Sequence, residues 1–269
     1  MIWPRRISKV GIKYQITYYF LTKFTKYRKN EAETQTMQPL QADKHTDRLY
    51  EHLRSRHGDS DSGANGYRLQ TYFLREQELI LAEIGTAATV ADLGCGSGLM
   101  VKPLTGAGPD RQVLGVDYNE IACRDARNNG IHIIRGDVFS LPFRDEVLDR
   151  VINCQFLNQQ PEDKAKHFIS EVYRVLKPGG RLILLWRNDR ALIHKLAVFV
   201  YRYIDRFTGR PEFPYYDNWI DDLELYSREP GFQCVKKQLI FPLFRWRFET
   251  VDALPARLFG ASCFLVLEK

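Results

Sequence analysis

Three glycines and three aspartates carry the chemistry that this chain announces. Asp92 is followed by Gly94, Gly96 and Gly98, so an acid stands just before three glycines at alternate positions. Glycine lets a turn be tight and lets a ligand lie against bare backbone, because no Cβ stands in the way. The dinucleotide fingerprint is G-x-G-x-x-G, with a pyrophosphate on a helix N-terminus. A carboxylate in front of the glycines would repel a pyrophosphate and suit a cation. Asp117 follows 25 residues after Asp92, and Asp137 stands in Arg135-Gly136-Asp137-Val138. Taken singly, each acid could be a helix cap or a turn residue, so the argument rests on their order and spacing.

These residues need strands to hold them. The run Thr89 to Leu93 reads as a buried strand that ends in the glycine turn, and Leu99 to Leu104 begins something helical. Before it, Leu69, Tyr72, Phe73, Ile80 and Ile84 mark one face of a helix over 67–84, which Gly85 stops. Further strands are expected at Gln112–Asp117, Ile131–Asp137, Leu148–Cys154 and Arg181–Trp186. A helix from about Pro161 to Leu176 has Ala165, Phe168, Ile169, Val172, Val175 and Leu176 as its core stripe, with Lys177-Pro178-Gly179-Gly180 as its stop. Asp189 to Phe207 reads as an added helix, Thr208 to Tyr216 as an aromatic loop, and Trp219 to Arg228 as a sheet-covering helix. Gln233–Leu243 and Ala261–Glu268 are expected as the last two strands. Alternating strands and helices imply a parallel sheet covered on both faces, with ligands at the strand carboxyl ends.

The stretch Asp92-Leu93-Gly94-Cys95-Gly96-Ser97-Gly98 resembles the first motif of the class I SAM-dependent methyltransferases. Their cofactor, S-adenosylmethionine (SAM), has no phosphate and carries an ammonium and a sulfonium. The resemblance covers roughly residues 67–187 and extends more loosely to Lys269; it is nearest to the small-molecule and quinone-biosynthesis type. It implies a Rossmann-like seven-stranded, mostly parallel sheet with helices on both faces, a reversed C-terminal hairpin and a small helical lid insertion at 188–218. It also implies that Asp92, Gly94, Cys95, Gly96 and Gly98 hold the methionine part of the cofactor. Asp117 would accept from the ribose hydroxyls, and Tyr118 would pack on adenine. Asp137 and Val138 would recognise the adenine edge, with Leu141-Pro142-Phe143 following as in many relatives. Rossmann dehydrogenases also place an acid on ribose, so Asp117 alone does not discriminate.

In the family, the turn after the fourth strand sits near the transferable methyl group. Here it reads Asn153-Cys154-Gln155-Phe156-Leu157-Asn158, without the N-P-P-Y motif common in methyltransferases of base or glutamine amino groups. Asn153 is assigned to the cofactor, and Gln155, Asn158, Tyr215 and Tyr216 to the acceptor. Cys154 reads as a buried, inert thiol. Methyl transfer from a sulfonium is an in-line displacement in which alignment supplies much of the catalysis. A hydroxyl acceptor would gain from a base, for which His194 stands ahead of His167, the latter on the polar side of its helix. The expected function is methyl transfer to oxygen, carbon or nitrogen of a small, apolar metabolite. The alternatives are a protein or RNA methyltransferase, or a SAM-binding partner protein without turnover.

Composition bounds the remainder. Five cysteines (Cys95, Cys123, Cys154, Cys234 and Cys263) show neither C-x-x-C pairing nor zinc-like spacing, so free thiols and no metal are expected. Residues 1–36 hold eight basic residues against Glu31 and Glu33, which accounts for the whole formal charge of +6. Residues 37–269 are therefore balanced and have no net charge to draw a phosphate backbone, so no nucleic-acid partner is expected. The basic, aromatic segment 1–36 is too polar to span a bilayer. Contact with an anionic membrane surface, organellar targeting and a tail that precedes the true start at Met37 all remain open for it. The domain division is a basic tail at 1–36, a flexible segment at 37–66 that includes Gly58 to Gly66, and the catalytic domain at 67–269. A cytoplasmic protein is expected, with or without peripheral membrane contact.

Overall fold

The computed structural model describes residues 70–106, 108, 110–157, 160–188, 190–192, 195–196, 220–241, 246–248 and 254–269. The expected tail 1–36, the segment 37–66 and most of the insertion 188–218 lie outside these described residues.

The chain begins its described course with helix α1, Gln70–Ile84. Gly85, at φ +55, accepts the left-handed turn that ends it. Strand β1, Thr89–Leu93, leads through the glycine turn to a short 3-10 turn at Lys102–Leu104. Then come β2 (Gln112–Asp117), α2 (Glu120–Asn128), β3 (His132–Arg135) and β4 (Leu148–Cys154). Helix α3 (Glu162–Val175) and β5 (Leu176–Arg187) follow. After the insertion lie α4 (Ile220–Arg228), β6 (Gln233–Phe241), β7 (Trp246–Phe248), α5 (Leu254–Phe259) and β8 (Ser262–Glu268).

The strands form one sheet in the order β3-β2-β1-β4-β5-β8-β6-β7. The first five are parallel, and β8 runs antiparallel between β5 and β6. This is the expected Rossmann-like sheet with its reversed C-terminal hairpin. One strand was not foreseen: β7 adds an eighth at the edge, pairing Trp246–Phe248 with Leu239–Phe241. Two expected boundaries also move. β3 stops at Arg135: the Gly136 N–H still donates to the Asp117 carbonyl at 3.0 Å, and a turn begins at Val138. β5 begins at Leu176, five residues earlier than Arg181, because Leu176 already pairs with Leu148 before a bulge. The Lys-Pro-Gly-Gly stretch thus stops the helix by entering the sheet.

Strand alternation sends side chains to two cores. One face packs Ala91, Leu93, Val116, Val151 and Leu184 against the α3 stripe Ala165, Phe168, Ile169, Val172 and Val175 and against Ile220 and Leu223 of α4. The stripe residues of α3 are all fully buried, as its 3, 4, 7 spacing predicts, and burying each large apolar side chain contributes about 1.5–3 kcal/mol. The other face packs Val90, Ile152, Ile183, Leu185, Phe264 and Val266 against Phe73, Ile80 and Ile84 of α1. The C-terminal end of α1 is tied to the sheet by Glu83, which pairs with Lys236 and Arg181. Its N-terminal half therefore reaches the carboxyl edge of the parallel strands, beside the glycine turn.

Helix α2 is capped by Asn119, whose side chain accepts from the Ala122 N–H at 2.8 Å. His167 is exposed on the polar side of α3, where the sequence puts it. Its Nε2 lies 2.8 Å from the Phe139 carbonyl, so it ties α3 to the loop after β3.

Candidate functional site

The glycine turn is fastened to β2 before any ligand is considered. The Gly94 and Cys95 N–H groups both point at the Val116 carbonyl, at 2.8 and 3.3 Å, and the Gly98 N–H donates to the Cys95 carbonyl at 2.9 Å. Gly94, Gly96 and Gly98 have φ of +71, +54 and +73, which side chains adopt only under strain. Space is as tight as conformation: a Cβ on Gly98 would lie 2.5 Å from Ile131 Cγ1, and one on Gly94 would lie 3.3 Å from the Phe156 ring. The Cys95 thiol is buried beneath the turn, where a Cβ on Gly115 would come within 2.7 Å of its sulfur. Burial, aided by the charges of Asp117 and Asp92, pushes this thiol well above its ordinary range. Cys95 thus offers its backbone, not its side chain, to whatever lies on the turn.

The acids divide the work. Asp117 accepts from the Gly96 N–H at 2.8 Å through Oδ2 and from the Asn119 N–H at 2.9 Å through Oδ1. Burial raises its pKa, and these backbone donors offset part of the rise. Asp92 is 2% exposed, and its Oδ2 has no hydrogen-bond partner among the described residues. Burial, with the Asp117 charge behind it, pushes the Asp92 carboxyl up to about 7. A buried carboxylate oxygen without a donor is costly unless a ligand supplies one. An ammonium group does so with charge as well.

The other expected residues fall around this pair with different tasks. Tyr118 is half-buried beside Asp117, and its carbonyl accepts from Arg135 Nε at 3.1 Å. Asp137 folds its own loop, accepting from the Phe139 N–H at 2.9 Å, and Val138 is buried next to it. Asn153 donates from Nδ2 to the Leu93 carbonyl at 2.7 Å and fixes the end of β1 against β4. It pairs with Leu184, so it points to the face opposite Asp92. Gln155 has φ +59 and turns its amide oxygen to the Arg187 N–H at 3.1 Å, which ties its side chain to β5. Phe156 packs against Phe139 and Phe168 and closes over Gly94. Asn158, His194, Tyr215 and Tyr216 lie outside the described residues. No group of three or more possible metal ligands occurs among the described residues.

Sequence reading missed two residues at this edge. Glu76 of α1 is 2% exposed, and Ser262 at the start of β8 donates to its Oε1 at 2.5 Å. Strand register places Asp92, Cys154, Arg187 and Ser262 on the α1 side of the sheet, each at the end of its strand that lies at the ligand edge. Burial first, then the charges of Asp92 and Glu76, push the Cys154 thiol well above its ordinary range, in keeping with an inert cysteine. One signal in the sequence could have found Glu76: it interrupts the stripe Phe73, Gln77, Ile80, Ile84 with a carboxylate at a core position.

Comparison with known proteins agrees with this geometry. Residues 91–184 match the methyltransferase domain family. Over 134 residues the chain is 28% identical to a tRNA (carboxymethyluridine(34)-5-O)-methyltransferase of Arabidopsis thaliana, covering 48% of this chain and 32% of that protein. Over 144 residues it is 31% identical to a ubiquinone/menaquinone biosynthesis C-methyltransferase of Desulfotalea psychrophila, covering 51% and 58%. The chain thus spans about a third to just over half the length of these relatives. A SAM-dependent methyltransferase structure from Thermotoga maritima superposes with a TM-score of 0.56 at 19% identity, covering 81% of this chain and 99% of that one. The PH0226 protein of Pyrococcus horikoshii gives 0.58 at 20% identity, covering 82% and 98%. Residues 91–184 thus match a methyltransferase domain, and the sheet order with its reversed hairpin is the fold of the SAM-dependent methyltransferase from Thermotoga maritima.

Proposed function

We propose that this chain transfers a methyl group from SAM to oxygen, carbon or nitrogen of a small, apolar metabolite. The observation that carries the cofactor assignment is the unpartnered Oδ2 of buried Asp92, held beside Asp117 under a side-chain-free turn. The residues fit the group. Asp92 takes its ammonium, Asp117 its ribose hydroxyls, and Tyr118 packs on its adenine. Asp137 and the Val138 N–H read the adenine edge, while the backbone of Gly94, Cys95, Gly96 and Gly98 lies along the methionine part. SAM, when bound, supplies a methyl carbon activated by a sulfonium leaving group. Asn153 keeps β1 and β4 in register below the reacting atoms, so alignment rather than a dedicated nucleophile does much of the work.

On the acceptor side, Gln155, Asn158, Tyr215 and Tyr216 frame the substrate, and the insertion 188–218 forms its wall. The segment 37–66 lies between this domain and the basic tail 1–36, whose basic and aromatic residues suit an anionic membrane surface. No helix among the described residues is long and apolar enough to cross a membrane.

A second reading has its own support: several relatives are tRNA methyltransferases by name, which favours an RNA acceptor. Calorimetry with S-adenosylhomocysteine (SAH) should find one site per chain, and NADH should not compete. Asp117→Ala should weaken that binding by roughly 1.5–3 kcal/mol, the scale of hydrogen bonds to a charged group. Unchanged affinity in a folded variant would remove the ribose assignment. Labelled methyl appearing in bulk tRNA and in no member of a metabolite panel would replace the small-molecule reading with the RNA one.

A further inference from the structure

We infer that Glu76 is a catalytic residue: it accepts the proton of a hydroxyl or amine acceptor at a row of polar groups between the start of α1 and the ends of β4, β5 and β8. The inference rests on the methyltransferase reading and narrows it, from oxygen, carbon or nitrogen to a nucleophile that bears an O–H or N–H.

This row follows from sheet register. Asp92 pairs with Ile152, so Cys154, two residues on, lies beyond it on the same face. Cys154 pairs with Leu185, Leu185 with Phe264, and Phe264 with Gln238. One step nearer the edge, Arg187 pairs with Ser262. All belong to the face that α1 covers, because Ile152, Leu185, Phe264 and Ile240 pack with Phe73 and Ile80. Glu76 lies between Phe73 and Ile80 on the buried side of α1 and meets this row through Ser262.

Besides the Arg187 guanidinium, the groups named here are mostly acceptors. The Asp92 Oδ2 and the Gln238 Oε1 are both buried and have no hydrogen-bond partner among the described residues, at residue exposures of 2% and 7%. Ser262 already gives its hydroxyl proton to Glu76. Hydrogen-bond acceptors left without donors favour a ligand that brings donors. A carboxylate next to such a ligand can also take the proton that methylation must release. In the transfer, the acceptor's O–H or N–H proton passes to a Glu76 carboxylate oxygen. The electron pair on that oxygen or nitrogen forms the new bond to the methyl carbon. The pair of the breaking C–S bond stays on sulfur, so the methylsulfonium donor leaves as a thioether.

The test uses the full chain loaded with SAH and four small probes: phenol, aniline and their methylated counterparts anisole and N,N-dimethylaniline. Ligand-observed NMR titration measures each. The wild type should bind phenol or aniline about tenfold more tightly than its methylated counterpart, the lower end of what a hydrogen bond to a charged acceptor supplies. E76Q keeps an oxygen for Ser262 but loses the anionic acceptor, and should reduce that preference to about twofold or less. S262A should keep the preference, because the carboxylate remains; loss of preference in S262A with E76Q unchanged would make the pair a structural latch and overturn the proposal. If E76Q does not fold, E76D, which withdraws the carboxylate by one methylene, must still lower the preference. SAH binding with no preference in the wild type, or with equal preference in wild type and the Glu76 variants, overturns the role of Glu76 alone. Failure of the wild type to bind SAH would remove the cofactor reading itself, and this proposal with it.

Discussion

Asp92→Asn should stabilise the ligand-free protein at neutral pH while damaging its cofactor site. Asp92 is buried, its Oδ2 lacks a partner among the described residues, and the charge of Asp117 lies close by. Its pKa rises from 3.8 to about 7 on folding. Between these values the folded chain holds a proton that the unfolded chain has lost, so stability falls as pH rises through this window. Each pKa unit corresponds to about 1.4 kcal/mol, so the ionised form costs about 4 kcal/mol once pH exceeds 7. Asparagine is close in shape to the protonated acid and never ionises. Wild type and variant should therefore have similar stability at pH 4, and the variant should lead by about 4 kcal/mol at pH 8. Urea denaturation at several pH values measures the difference. SAH affinity should move the other way, since the asparagine cannot neutralise an ammonium. Below pH 7, binding to the wild type should also release a proton, read as a buffer-dependent enthalpy that the variant lacks. A stability difference independent of pH would refute the argument that Asp92 is held against its ionisation. Equal SAH affinity would refute its assignment to the ammonium.

Gly98→Ala places a side chain at φ +73 and a Cβ 2.5 Å from Ile131 Cγ1. Strain and overpacking together should cost about 2–4 kcal/mol and lower Tm by roughly 5–15 °C; a Tm within about 2 °C of wild type would show that the turn relaxes more than its packing suggests. A chain starting at Met37 should keep SAH binding and lose its salt-sensitive pelleting with anionic vesicles, since all the net charge lies before that residue and each basic residue near such a surface adds on the order of 1 kcal/mol. Equal pelleting of the two chains would end the membrane reading of the tail.

The local signals in this sequence were strong where one element suffices to produce them. Asp92, the alternate glycines and Asp117 could be placed at strand ends because a buried strand is a short apolar run and a tight turn needs glycine. The α3 stripe was legible because helical spacing alone decides which side is apolar. The family resemblance supplied the reversed final hairpin, which no periodicity specifies. Tertiary structure decided what each of these groups touches. The Ser262–Glu76 bond joins residues 186 apart, and nothing local to either position encodes that meeting. Gln155 stands in the expected turn, but only packing shows that its amide oxygen is held by the Arg187 backbone, and that Asn153 points to the opposite face from Asp92. The edge strand β7 needed only three residues and a neighbour to pair with, too little pattern to read in advance. The same holds for charge: Asp92 and Asp117 are the same amino acid, and two backbone donors aimed at one of them, with none among the described residues for the Oδ2 of the other, set them apart. Sequence determines which groups exist and on which side of an element they stand; desolvation and hydrogen bonding, which depend on every packed neighbour, determine what those groups can do.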